Sequence, residues 1–113
     1  MSAVIYVALG GAGGSVLRYL VALALLGPWA TLAVNVAGSA AIGVAAGLGV
    51  QGEARLLLVT GFLGGFTTFS AFSLDTATLA ERSLPLAVAY VLASVGLGIA
   101  AFALAFWLSR RAL

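Results

Sequence analysis

The chain has 113 residues, one domain's worth, with 64% hydrophobic and 7% charged residues, against roughly 25% charged in ordinary soluble domains, and this excludes a soluble globule. Five arginines, three acids, no lysine and no histidine build neither a nucleic-acid footprint nor a solvated surface. The absence of cysteine removes disulfides, thiolate zinc sites and thiol nucleophiles, and the absence of histidine removes the commonest metal ligand and general base, so the chain is read as a non-enzyme.

The charges fall at Arg18, Glu53, Arg55, Asp75, Glu81, Arg82, Arg110 and Arg111, leaving uncharged runs over 19–52, 56–74 and 83–109. A bilayer core about 30 Å thick takes roughly 20 apolar residues per helical crossing, and Gly27-Pro28-Trp29 divides the first run because proline disfavours helix before it and tryptophan suits the headgroup level. The pattern predicts an all-α membrane protein of one domain with four transmembrane helices at about 3–26, 30–50, 55–79 and 84–108. Met1 to Tyr6 carry no positive n-region, so the first helix is expected to be retained rather than cleaved.

Four crossings put both termini and the 50–54 loop on one side with Arg55, Arg110 and Arg111, facing Arg82 and, at its reach, Arg18. Arginine bias orients membrane proteins, and so small a bias leaves two outcomes open: one orientation, or insertion both ways and pairing of inverted copies. Small residues recur four apart at Gly10/Gly14, Gly43/Gly47, Gly61/Gly65 and Ser94/Gly98. Such pairs let helix backbones approach closely in lipid, against each other or against a partner.

In the first helix Arg18 is the one charge well inside a predicted span, where it either lines an aqueous cavity and pairs or snorkels outward. In the second, Asn35 is the only amide within a span, serving an interhelical bond or offering N–H donors to an anion. In the third, Gly61-Phe62-Leu63-Gly64-Gly65-Phe66-Thr67-Thr68-Phe69-Ser70-Ala71-Phe72-Ser73 is centred near residue 65, the midpoint of its uncharged run. Glycines, threonines and serine there favour a helix broken near the bilayer midplane, with carbonyls freed for a hard cation. The alternative is a continuous helix whose hydroxyls bond back to its own carbonyls.

Phe66, Phe69 and Phe72 lie three apart, either packing or presenting positive ring edges to an anion. In the fourth helix Tyr90 and Ser94, one turn apart, make a polar line. Glu53, Asp75 and Glu81 all fall near predicted helix ends, so no carboxylate is expected mid-membrane for proton coupling of the small multidrug-exporter type.

Together, Gly10 to Tyr19 with Arg18, Thr31 to Ser39 with Asn35, and Gly61 to Ser73 resemble the Fluc/CrcB family of fluoride channels. The likeness covers the first three helices in order and length, while the fourth matches loosely. It implies a dual-topology, antiparallel homodimer in the plasma (inner) membrane of a prokaryote, passively exporting fluoride. It further implies a structural Na+ at the dimer centre, held by the main-chain carbonyls of Gly64 and Thr67 from each copy. The fluoride pathway it implies comprises Asn35, Phe69, Phe72, Ser70, Tyr90, Ser94 and the vestibule arginine Arg18. Gly98 and Ala71 stand where the likeness leads one to expect hydroxyl residues.

Overall fold

The computed structural model describes residues 2–113 and is helical throughout, in the order α1 (Ala3–Leu25), α2 (Gly27–Gly47), α3 (Gly52–Arg55), a π-helical segment (Leu56–Leu63), α4 (Gly64–Phe66), α5 (Phe69–Arg82) and α6 (Leu84–Arg111). Four helical stretches are long and apolar enough to cross a membrane: Ala3–Leu25, Gly27–Gly47, Gly52–Arg82 and Leu84–Arg111. The longest dimension of the molecule is 47 Å, close to a bilayer with its headgroups at about 40–45 Å.

The helix ends follow local chemistry, with some shifts from the sequence pattern. The second helix starts at Gly27 rather than near residue 30, because Pro28 falls in its first turn, where the missing N–H has no helical partner to lose. Leu26 joins the first two helices at φ 59°, and Gly27 follows at φ 61°. Residues 48–51 connect α2 to α3, with Gly49 and Gly52 at φ 72° and 68°, the left-handed backbone that glycine takes without strain. Ser83 stops α5 and caps α6, its hydroxyl accepting from Leu86 N–H at 3.4 Å, so α5 runs three residues beyond the expected end at 79.

Glycines decide the packing. On α1, a Cβ at Gly10 would strike the Leu57 carbonyl oxygen and one at Gly14 the Phe62 carbonyl oxygen. In return, a Cβ at Gly61 would sit 2.8 Å from Val7 O and one at Gly65 2.6 Å from Gly11 O. On α2, Gly43 and Gly47 admit α6, where added Cβ atoms would lie 2.5 Å from Phe102 O and 2.8 Å from Phe106 O. Three of the four small-residue pairs therefore seat helices of the same chain, backbone to backbone, where lipid supplies no hydrophobic drive. Gly98 differs, its virtual Cβ finding only Ser39 Oγ at 3.6 Å.

The interior is small, built on Ala30, Val34, Phe66, Leu79, Ala87 and Tyr90, while Leu20, Leu23, Leu92 and Ile99 point outward. This outside-apolar distribution suits a lipid solvent. At the end of α6, Arg111 stacks over Trp107 at 4.4 Å and Arg110 over Phe106 at 5.5 Å, an aromatic and basic pairing suited to the headgroup region. The π-helical turns had no expectation in the sequence. They carry Gly61 and the carbonyls of Leu57 and Phe62, which meet the glycines of α1 at close range.

Substituting Gly14 by Ala forces the α1 seam open and is expected to cost about 1–3 kcal/mol, read as a lowered thermal midpoint of the purified protein. Gly96→Ala, where the new methyl meets nothing within 4 Å beyond its own helical turn among the described residues, is the matched comparison and is expected to leave the midpoint near wild type.

Candidate functional site

Between α4 and α5 the backbone leaves the helix for two residues. Thr67 has φ −88° and ψ 157°, and Thr68 has φ −151° and ψ 126°, both extended. Thr68 is the N-cap of α5, its hydroxyl accepting from Ala71 N–H at 3.2 Å, as threonine does at helix starts. The hydroxyl and the N–H of Thr67 both donate back to Leu63 O, at 2.9 and 3.1 Å, closing the end of α4.

Two side chains from other helices complete this step. Asn35 of α2 donates through Nδ2 to Thr68 O at 2.9 Å, and its Oδ1 accepts from Thr68 N–H at 2.8 Å. Arg18 of α1 donates through Nε to Gly65 O at 3.1 Å. With the carbonyls of Leu63, Gly65 and Thr68 engaged, those of Gly64, Phe66 and Thr67 accept no protein hydrogen bond outside the helices among the described residues. Gly64 is exposed and lines, with Asn35, Ser39, Thr67, Thr68 and Phe69, a cavity of about 340 Å³. The described residues hold no group of three His, Cys, Asp or Glu able to bind a metal, and the oxygens around this cavity are main-chain carbonyls with the side-chain oxygens of Asn35, Ser39, Thr67 and Thr68, hard donors of the kind that suit an alkali or alkaline-earth ion.

From the step a line of rings runs along α5 to α6. Phe69 and Phe72 meet edge to face, with centroids 5.5 Å apart and planes at 60°. Phe72 lies 5.4 Å from the Tyr90 ring. Phe69 is 77% exposed while Tyr90 is buried at 2%, so the line enters the protein from its surface. The hydroxyl of Ser70 is 3.3 Å from that of Thr68. Ser94, one turn after Tyr90, has a buried hydroxyl oxygen with no hydrogen-bond partner among the described residues.

Beyond the rings stands a carboxylate. Asp75 Oδ2 accepts from Thr31 Oγ1 at 2.6 Å and, at a longer 3.4 Å, from the Tyr90 hydroxyl. The expectation that Asp75 lies at a helix end is corrected here, because α5 continues to Arg82, two turns further. In the sequence Thr31 stands only at the start of the Thr31 to Ser39 motif, and the signal for this pair is its position one turn before Asn35 on the same helix.

Arg18 occupies a separate cavity of about 90 Å³ with Thr31, Thr68 and Ala71, half-buried rather than snorkelling to an end. Ala71 puts a methyl group there in place of a hydroxyl. The structure thus joins Asn35, Phe69, Phe72, Ser70 and Tyr90 around one helix junction, sets Arg18 behind it, and adds Thr31 and Asp75. Chemically, weak donors and ring edges suit a small anion, and main-chain carbonyl oxygens suit a cation.

The family model described as CrcB-like protein, Camphor Resistance (CrcB), matches residues 5–106. A protein of Rhizobium etli named fluoride-specific ion channel FluC is 60% identical over 107 residues, covering 84% of this chain and 86% of its own. Proteins of the same name from Allorhizobium ampelinum and Erythrobacter litoralis are 53% and 47% identical, over 89% and 96% of this chain and 90% and 92% of theirs.

Asn35→Asp replaces the donor facing Thr68 O by an acceptor and leaves that carbonyl unpaired in an apolar setting. The expected loss is roughly 1–3 kcal/mol, checked by the thermal midpoint of the purified variant; an unmoved midpoint would mean that the amide does not hold the junction.

Proposed function

Because the chain belongs to the CrcB family, whose relatives above are named as ion channels rather than enzymes, we propose that this multi-pass membrane protein is a fluoride-selective channel passing the ion passively down its electrochemical gradient. The observation that carries the reading is the ring line Phe69–Phe72–Tyr90 leading inward from the junction clamped by Asn35.

Fluoride is small and strongly hydrated, so a path must replace its water with several weak sites, favourable enough to enter and loose enough to leave. The positive edges of Phe69 and Phe72, the second N–H of Asn35, the hydroxyls of Ser70 and Ser94, and that of Tyr90 once it turns from Asp75, supply such sites without a full positive charge. Arg18, in the cavity behind the junction, adds positive charge beside the path. A narrow, largely apolar passage rejects chloride by size. Because HF enters by diffusion and ionises in a less acidic cytoplasm, the physiological direction is export, which lowers cytoplasmic fluoride.

The working unit in this reading is an antiparallel homodimer of inverted copies in the plasma (inner) membrane of a prokaryote. The exposed Gly64 and the cavity beside it favour a second copy at that face, and the arginine balance allows both insertions. A Na+ ion at the dimer centre fits the donor set, since the Gly64 and Thr67 carbonyls are hard oxygens that accept no hydrogen bond outside the helices among the described residues. It would be held by those two carbonyls of each copy and would supply fixed positive charge that ties the helix junctions together.

A proton-coupled carrier is the second reading, favoured by Asp75, a half-buried carboxylate between two hydroxyls within a span. One experiment separates them: liposomes loaded with fluoride or chloride, without a pH gradient, read by ion-selective electrodes. Rapid fluoride release with chloride retained is expected, and dependence of the release on an imposed pH gradient would favour the carrier.

In the same assay Phe69→Ile or Phe72→Ile, which remove ring edges at similar bulk, are expected to slow fluoride by about tenfold or more, equivalent to at least ~1.4 kcal/mol of barrier. Wild-type rates in both variants would return the rings to packing.

A further inference from the structure

We propose that Arg18 is a positioning residue for the main-chain cation site: by binding Gly65 O it fixes the short helix α4, so that the carbonyls of Gly64 and Thr67 stand ready for the ion. The inference rests on the Na+ reading above and assigns to this arginine a role besides attracting the anion.

α4 has three residues, two of them glycine, and ends where the backbone turns extended. Phe66, buried and stacked on Phe62, holds the last residue of α4, but the Gly-Gly pair before it has the largest backbone freedom to lose and no side chain to anchor it. The anchor comes from one face of α1. Gly11, Ser15 and Arg18 follow at helical spacing along that face, and a Cβ at Gly65 would lie 2.6 Å from Gly11 O and 3.0 Å from Ser15 Oγ. Seated there, Gly65 presents its carbonyl to Arg18 Nε at 3.1 Å.

The bond suits both partners. A guanidinium inside a membrane span needs a partner, and among the described residues no acid pairs with this one. A carbonyl at a helix C-terminus is where a positive side chain is most favourable, and a charged donor makes the stronger hydrogen bond. Asn35 holds Thr68 from the opposite side. Residues 66 and 67 are therefore bracketed between two fixed points, Gly65 and Thr68, and Gly64 sits immediately before the first. The residue that is bonded is neither of the proposed ligands, so the arginine orders the site without competing for its oxygens.

The test uses the full chain, purified and reconstituted. Thermal midpoints and fluoride efflux are recorded across a Na+ series, with N-methyl-D-glucamine keeping ionic strength constant, for wild type, Arg18→Met and Arg18→Lys. Arg18→Met is expected to raise the Na+ concentration giving half the effect by about tenfold, and Arg18→Lys, which retains a charged donor, to bring it back toward wild type. If Arg18→Met does not fold, Arg18→Gln replaces it, and the same shift is required.

An arginine that acts only by drawing fluoride to the mouth predicts something else: slower efflux that depends on ionic strength, with the Na+ midpoint unmoved in every variant. That result overturns the proposal while leaving the cation site standing. A wild-type protein whose stability and efflux ignore Na+ overturns the cation reading itself, and the role given to Arg18 with it.

Discussion

In hydrocarbon every backbone N–H and C=O that leaves a helix must find its partner within the protein or in enclosed water. The paired bonds between Asn35 and Thr68 meet that demand at the one place where the third span stops being helical, and the rest of the site depends on them. Without an amide at that height on α2, the two-residue extended step would expose a donor and an acceptor to lipid. With it, α5 starts afresh at Phe69 along a direction set by the Thr68 cap, and Phe69, Phe72 and Asp75 take their places from that start.

Glycine packing makes the junction reachable. Asn35 and Arg18 are short of reach unless α1 and α2 lie close to the third span, and Gly10, Gly14, Gly61 and Gly65 remove the side chains that would keep α1 away. Gly38 does the same for α2, since a Cβ there would strike the Thr67 methyl. The chain thus spends its small residues on backbone contact and its few polar ones on the backbone groups that contact exposes. Such economy is what a medium without hydrophobic drive requires.

The polar groups divide into two sets with different duties. Arg18 and Asn35 hold backbone atoms, and each retains further N–H donors facing a cavity. Thr31, Tyr90 and Asp75 satisfy one another, so the two hydroxyls serve an anion only when they turn from the carboxylate. Phe69 and Phe72 belong to neither set, and their value lies in geometry, an edge-to-face contact that leaves one ring exposed and the other half-buried. Ser39 of α2 stands beside Gly98, its Oγ 3.6 Å from where a Cβ would be, and so places a hydroxyl at that turn of α6.

Much was legible in the chain itself. Charge placement and uncharged run lengths bounded four apolar crossings, because span length follows from bilayer thickness and helix rise alone. The Gly-Gly-Phe-Thr-Thr-Phe-Ser motif marked where helix is weakest, and the Gly pairs marked close approach, because both are local properties of residue type. Only the tertiary structure decided which partner each group takes. That Asn35 binds Thr68 and Arg18 binds Gly65 depends on the register between helices 33 and 47 residues apart, which no local pattern encodes. Asp75 reads as a helix-end charge only if the helix stops at residue 79; the stop is Ser83, which also caps α6, and that short extension sets Asp75 two turns inside the helix end.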